Sequence, residues 1–204
     1  MNILNLPNKL TLVRVLLIPV IIVVGLIEAL DVVMFQGTNI SIASFIIFII
    51  FSIASFTDFL DGYIARKYNL VTDFGKFVDP LADKMLVVST LIVIFNLSLL
   101  TGYKVVLFLI AVILIIVREF FVSGIRMVAA SNNKVIQASN MGKIKTVLQM
   151  AMIIFILLGN YPFSLINFDF DTVLIVAALI MTVISAVDYF IKNKDTVFNT
   201  EERK

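Results

Sequence analysis

The chain contains no cysteine, no histidine and no tryptophan among its 204 residues. The lack of cysteine excludes a disulfide framework and a thiol nucleophile, and the lack of histidine excludes an imidazole base. A zinc site built from nitrogen and sulfur ligands is excluded for the same reason. Proton transfer and metal binding must therefore use carboxylates, whose oxygen atoms favour hard divalent cations.

Charged residues are scarce, at 15% of the sequence, whereas hydrophobic residues make up 61% and the mean hydropathy is +1.08. A soluble domain of this length cannot bury so much apolar surface, so the composition predicts an all-α integral membrane protein. Six segments approach the roughly 20 residues that a spanning helix needs. They are residues 10–30, 41–64, 75–100, 103–129, 144–160 and 171–191.

The sequence shows no repeat and no linker, so we expect one membrane domain over residues 1–204 with a polar tail from about residue 192. The first apolar segment lacks the small residues of a signal-peptide cleavage site and is interpreted as a retained helix. Of the 16 Lys and Arg residues, only Lys104 falls outside the amino-terminal end, the 2–3 and 4–5 connections and the tail. The positive-inside rule then predicts six transmembrane helices in the cell membrane, with both termini in the cytoplasm.

The stretch 58–84 holds nine charged residues. Asp58 and Asp61 share one helix face, as do Asp79 and Asp83. Asp58 and Asp61 lie roughly 13 and 9 Å deeper than the cytoplasmic end of their helix. A carboxylate that faced lipid alone would cost several kcal/mol, and four together would repel one another. The pattern predicts a polar cavity at the cytoplasmic side that contains divalent cations.

Small residues accompany these acids. Gly62 follows Asp61, and Gly75 lies four residues before Asp79. Ala65 extends the small-residue face that begins at Asp61. Glycine inside a helix usually marks a close approach, so this face, with Arg66 beside it, predicts a groove for a flat phosphorylated ligand.

Two starts are possible for the third helix. Thr72 is a plausible N-cap, which would place Pro80 inside the helix. Alternatively, Asp79 is itself the cap and Pro80 occupies the first helical position.

The full pattern is D-x-x-D-G-x-x-A-R from Asp58, eight further residues, and then G-x-x-x-D-x-x-x-D from Gly75. It resembles the signature of the CDP-alcohol phosphotransferases, which are six-helix membrane enzymes. The resemblance implies that a CDP-linked lipid gives its phosphatidyl group to an alcohol and releases CMP. It also implies two divalent cations, Mg²⁺ or Mn²⁺, and a homodimer. The implied roles are metal ligation by Asp58, Asp61 and Asp79, completion of the cluster and base action by Asp83, and contact with the cytidine diphosphate by Gly62, Ala65, Arg66 and Gly75.

Basic residues indicate the acceptor. Arg118 and Arg126 lie eight residues apart on segment 4, and Lys143 and Lys145 begin segment 5. Converging cations favour a phosphorylated acceptor. The stretches "REFFVSGIR" (118–126), "MGKIKTVLQ" (141–149) and "NLPNKLTLVR" (5–14) are similar to the phosphatidylglycerophosphate synthase branch of that family. The similarity implies sn-glycerol 3-phosphate as acceptor, CDP-diacylglycerol as donor, and nucleotide contacts by Pro7, Asn8 and Thr11.

Other interpretations remain open at this point. Arg118 is also explained by an internal ion pair with Glu119 or Asp188, and the lysines at 143 and 145 by topology alone. Within the family, the rivals are cardiolipin synthase and synthases that use inositol phosphate or serine. A cation transporter or channel with a carboxylate ion site is the rival of another class. No nucleic-acid partner is expected.

Overall fold

We analysed a computed structural model of the chain, which describes residues 6–34, 38–67, 73–97, 99–131 and 139–198. Within these ranges, only the backbone is described for residues 6–7, 59–67, 73–74, 76–77, 131 and 195–198. The described residues form six α-helices and no β-sheet. The helices are α1 (Leu6–Leu26), α2 (Ile42–Lys67), α3 (Asp73–Asn96), α4 (Tyr103–Ser131), α5 (Asn140–Leu157) and α6 (Phe170–Phe198).

The six helices confirm the predicted all-α fold and correspond one to one with the six apolar segments. Four of them contain stretches long and apolar enough to cross a membrane, at Asn8–Leu26, Tyr103–Ala130, Asn140–Leu157 and Phe170–Lys194. Within the described side chains of α2, the apolar part is shorter and covers Ile42–Asp58. The protein is therefore an α-helical protein with several candidate membrane spans.

The start of α3 decides between the two predicted caps. The helix begins at Asp73 and contains Pro80 in its interior, so the prediction that Asp79 caps the helix is wrong. The earlier start leaves Thr72 as the remaining possibility, and that residue lies outside the described part of the chain.

The end of α6 lies beyond the last apolar segment, which ends at residue 191. The helix continues to Phe198 and so includes part of the polar tail expected from about residue 192. Two contacts support this extra length: Lys192 forms an i,i+4 ion pair with Asp188 at 2.7 Å, and the Asn193 side-chain amide donates to the Tyr189 carbonyl at 2.7 Å. Polar side chains alone do not end a helix when they find partners one turn away.

Contacts divide the chain into two compact units, and the first contains residues 1–101 and 153–168. In this unit α1 packs against both α2 and α3. α2 starts with a reciprocal cap, in which the Ser44 N–H donates to the Ser41 hydroxyl at 3.1 Å and the Ser41 N–H donates to the Ser44 hydroxyl at 3.0 Å. This pairing satisfies two of the free N–H groups at the helix start.

α1 and α3 come very close at Gly25. A Cβ atom at this position would lie 2.2 Å from Cγ1 of Val93 on α3, so only glycine fits. The Asn96 side-chain amide donates to the Gly25 carbonyl at 2.8 Å and joins the two helices at the same level. The carboxyl-terminal ends of α1 and α3 are therefore fixed by both shape and hydrogen bonding.

The second unit contains residues 102–152 and 169–204, and α4 packs against α6 within it. At the start of these two helices, Lys104 pairs with Asp169 at 2.6 Å and with the buried Asp171 at 3.1 Å. Further along, the rings of Phe121 and Phe190 lie 6.0 Å apart. A polar contact at one end and aromatic packing near the other thus hold the pair.

We expect Gly25→Ala to destabilise the protein by about 1–3 kcal/mol, because the added methyl group collides with a β-branched side chain that cannot rotate away freely. Gly124→Ala is the matched control, since no neighbouring atom lies within 4 Å of a Cβ there. In the helix interior this control should raise stability by up to about 1 kcal/mol. Thermal unfolding of both variants in detergent measures the difference, and equal Tm values would contradict the close packing of α1 on α3.

Candidate active site

One face of α1 changes from polar to apolar along the helix. Asn8, Thr11 and Arg14, spaced three residues apart, are buried. Ile18 and Ile21 continue the buried face toward the carboxyl-terminal end. Because these residues share one side of the helix, α1 presents polar groups to its neighbours only in its amino-terminal half.

Arg14 meets the first predicted metal ligand. Its Nη1 lies 2.7 Å from Oδ1 of Asp58 on α2, and its side chain is 0% exposed. Arginine does not lose its proton in proteins, so burial of this group requires a carboxylate partner. Asp58 keeps 37% of its side chain exposed, which leaves the carboxylate open to a further partner.

Thr11 meets the second ligand, because its hydroxyl donates a hydrogen bond to Oδ1 of Asp79 on α3. Asp58 and Asp79 are themselves near enough for their charges to interact. Two of the four predicted aspartates therefore lie beside the same helix. Arg14 of α1 contacts Asp58, and Thr11, three residues earlier, contacts Asp79.

The remaining residues of the predicted donor site are described to different extents. Gly75 is buried, and Asp83, one turn beyond Asp79, is half-buried. The α2 residues Asp61, Gly62, Ala65 and Arg66 belong to the helix, but their side chains lie outside the described ones.

The residues present suit a divalent cation. Asp58 and Asp79 offer hard carboxylate oxygens from two helices, which are the ligands that Mg²⁺ and Mn²⁺ prefer. Among the described side chains, no three acids gather closely enough to hold one ion. The complete predicted set would also need Asp61, whose side chain is not described.

A separate polar cluster lies in the second unit, on α4, α5 and α6. Arg118 donates from Nη1 to Oε1 of Glu119 at 3.1 Å and from Nε to the hydroxyl of Ser185 at 3.3 Å. Lys145, with a side chain only 5% exposed, contacts the same Glu119 oxygen. The structure thus brings together two of the four residues predicted to bind the acceptor.

The backbone of α5 lies close to this cluster at Gly142. A Cβ atom there would lie 3.4 Å from Nη2 of Arg118, so glycine lets the guanidinium lie against the helix. Ser139 caps this end of α5 by accepting a hydrogen bond from the Gly142 N–H at 3.1 Å. The Arg118 guanidinium therefore lies beside the amino-terminal turn of α5.

The other two predicted acceptor residues have different surroundings. Arg126 donates from Nε to the hydroxyl of the buried Tyr189 at 3.1 Å, and its guanidinium carbon lies 5.6 Å from that ring's centroid. Lys143 is exposed. Neither residue is part of the Arg118–Glu119–Lys145 cluster as described.

Sequence reasoning missed the roles of Arg14 and Glu119. The positive-inside rule explains Arg14 only as part of the basic amino-terminal end, whereas its spacing from Asn8 and Thr11 on an apolar helix indicates a polar helix face. For Glu119, the ion pair with Arg118 was one of the open alternatives, and that pair is present. Lys145, which also contacts Glu119, lies on α5, so no local sequence pattern predicts this contact.

A sequence model of the CDP-alcohol phosphatidyltransferase family matches residues 4–185, and the chain belongs to this family. A Bacillus subtilis (strain 168) protein named CDP-diacylglycerol–glycerol-3-phosphate 3-phosphatidyltransferase is 42% identical over 197 residues, which cover 93% of this chain and 95% of that protein. Its namesake from Rickettsia felis is 38% identical, with 91% and 93% covered. A third protein of that name, from Wigglesworthia glossinidia brevipalpis, is 35% identical, with 80% and 81% covered.

We expect Lys145→Met to destabilise the protein by roughly 1–3 kcal/mol, because Glu119 loses a charged partner in a mostly buried site. Lys143→Met is the matched control on the same helix, and its exposed side chain should change stability by less than about 0.5 kcal/mol. Thermal unfolding in detergent compares the two. A control as unstable as Lys145→Met would mean that the buried contact contributes nothing specific.

Proposed function

We propose that this protein transfers the phosphatidyl group of CDP-diacylglycerol to sn-glycerol 3-phosphate, which yields phosphatidylglycerophosphate and CMP. The observation that carries the proposal is the 42% identity over 93% of the chain to a Bacillus subtilis protein named for this reaction. The convergence of Asp58 and Asp79 beside α1 supports it from the side of the structure.

The proposed donor site is the aspartate group on α2 and α3. Asp58, Asp61, Asp79 and Asp83 would hold two divalent cations, Mg²⁺ or Mn²⁺. When bound, such cations neutralise charge on the pyrophosphate and align it for attack. Thr11 would fix the Asp79 carboxylate through its hydrogen bond, and we assign the cytidine diphosphate to Gly62, Ala65, Arg66 and Gly75, with Asn8 and Thr11 nearby.

The proposed chemistry is direct displacement. A hydroxyl oxygen of the acceptor attacks the phosphorus of the phosphatidyl group, and the bond from that phosphorus to the bridging oxygen breaks. CMP leaves with the bridging oxygen, and the hydroxyl proton passes to the Asp83 carboxylate. The chain has no cysteine or histidine to form a covalent intermediate, which favours a single in-line step.

The proposed acceptor-phosphate site is the cation cluster of the second unit. Arg118 and Lys145 carry two positive charges and share one carboxylate, so the cluster keeps a net positive charge for a phosphate. Ser185 and Gly142 would hold the guanidinium in place for this contact. Arg126 and Lys143 remain assigned to the acceptor, from positions outside this cluster.

We further propose a cell-membrane protein with six spans, both termini in the cytoplasm, and one membrane domain over residues 1–204 that acts as a homodimer. The four long apolar helices support membrane insertion. The distribution of Lys and Arg supports a cytoplasm-facing active site. This placement lets the acyl chains of the donor stay in the bilayer while the nucleotide reaches water.

Release of CMP tests the reaction. We expect the purified protein to release CMP from CDP-diacylglycerol when sn-glycerol 3-phosphate is added, and to stop when EDTA removes divalent cations. Phosphatidylglycerol, inositol phosphate and serine are offered in parallel as the acceptors of the rival reactions. Faster release with any of these three would replace the proposed acceptor. Absence of CMP release with all four acceptors, sn-glycerol 3-phosphate included, would favour the transporter alternative.

Arg118→Ala tests the acceptor site. We expect the KM for sn-glycerol 3-phosphate to rise by about tenfold or more, because a charge-assisted hydrogen bond is lost, with a smaller effect on the KM for CDP-diacylglycerol. Lys104→Met, on the same helix, removes the ion pairs with Asp169 and Asp171 and serves as control. It should lower the Tm and leave both KM values unchanged. An equal rise of both KM values in Arg118→Ala would contradict the assigned role.

A further inference from the structure

We propose that Arg14 acts as a built-in cation of the aspartate group. Arg14 keeps the acid-bearing helices together before a divalent cation binds, and it weakens the binding of that cation. Arg14 is thus a positioning residue with an effect on metal affinity. The inference rests on the proposed function, because it takes the aspartate group to be the divalent-cation site.

The positive charge of Arg14 is permanent. The Arg14 side chain is 0% exposed, and its guanidinium cannot become neutral to relieve the cost of burial. The ionised carboxylate of Asp58, at 2.7 Å, offsets part of that cost. Arg14 therefore keeps one positive charge beside the acids whether or not a metal ion is present.

Asp58 and Asp79 have partners of different charge. Asp58 forms an ion pair with the positively charged Arg14, whereas Asp79 accepts a hydrogen bond from the neutral hydroxyl of Thr11. The charges of Asp58 and Asp79 repel each other. Arg14 offsets this repulsion from the Asp58 side, which lets carboxylates on two helices stay near each other without added ions.

The side chain of Asp58 is partly accessible from outside the ion pair. Asp58 is 37% exposed while its arginine partner is fully enclosed, so the carboxylate has one side against α1 and another side open. A divalent cation can approach from the open side without displacing Arg14. It then shares the carboxylate with an existing positive charge, and repulsion between the two cations lowers the affinity.

The expected behaviour of Arg14→Met follows from these points. Without the arginine, the full-length protein in detergent and EDTA should have a Tm lower by about 5 °C or more, since an uncompensated carboxylate remains among acids. Added Mg²⁺ should raise the Tm more than in the unmodified protein. The Mg²⁺ concentration for half of this rise should fall at least about tenfold.

Two control variants separate charge from other effects. Arg14→Lys keeps the positive charge and should keep the half-saturating Mg²⁺ concentration within about threefold of the unmodified protein. Lys9→Met removes an exposed charge from the same helix and should change neither the Tm in EDTA nor the Mg²⁺ response. If Arg14→Met does not fold in EDTA, Arg14→Met combined with Asp58→Asn, which removes both charges, should recover folding there.

The outcomes distinguish this inference from the proposed function. An equal Mg²⁺ response in the unmodified protein and in Arg14→Met would overturn the inference and leave the function standing. A weaker Mg²⁺ affinity in Arg14→Met would also overturn it, because Arg14 would then assist the cation. If neither Mg²⁺ nor Mn²⁺ stabilises the unmodified protein, the cation site itself is wrong and the inference falls with it.

Discussion

The ion pair between Arg14 and Asp58 is the contact on which the first unit depends. A guanidinium on an apolar helix needs a carboxylate close by, and Asp58 supplies one from α2. Three residues earlier, Thr11 reaches Asp79 on α3. The amino-terminal half of α1 is thereby tied to both acid-bearing helices, and the relative heights of the two carboxylates follow from the rise of a single helix.

The second unit has a cluster of the opposite sign. Among the described side chains in contact, two acids, Asp58 and Asp79, lie near one cation, Arg14, whereas Arg118 and Lys145 both pair with the carboxylate of Glu119. Each cluster contains one residue of the minority charge, which reduces repulsion among the others. Such partial compensation leaves a net charge with which a ligand of opposite sign can pair, and it avoids the full cost of burying like charges. The proposed cation site and phosphate site thus follow one electrostatic rule.

The helices were predictable from the sequence because apolar runs of spanning length leave few alternatives in lipid. The family was also predictable, since the spacing from Asp58 to Asp83 is long and fixed. The partners of the polar side chains were harder. Arg14 and Asp58 are far apart in sequence, as are Glu119 and Lys145, so only packing reveals their contacts. Local rules also left two starts open for α3, and the structure selects the one that places Pro80 inside the helix.

The tight approach of α1 and α3 at Gly25 has a mechanical consequence. The steric fit against Val93 and the hydrogen bond from Asn96 prevent one helix from sliding along the other. α1, which contains a candidate membrane span, can therefore change its tilt only together with α3. Any such change of tilt preserves the register between Thr11 and Asp79.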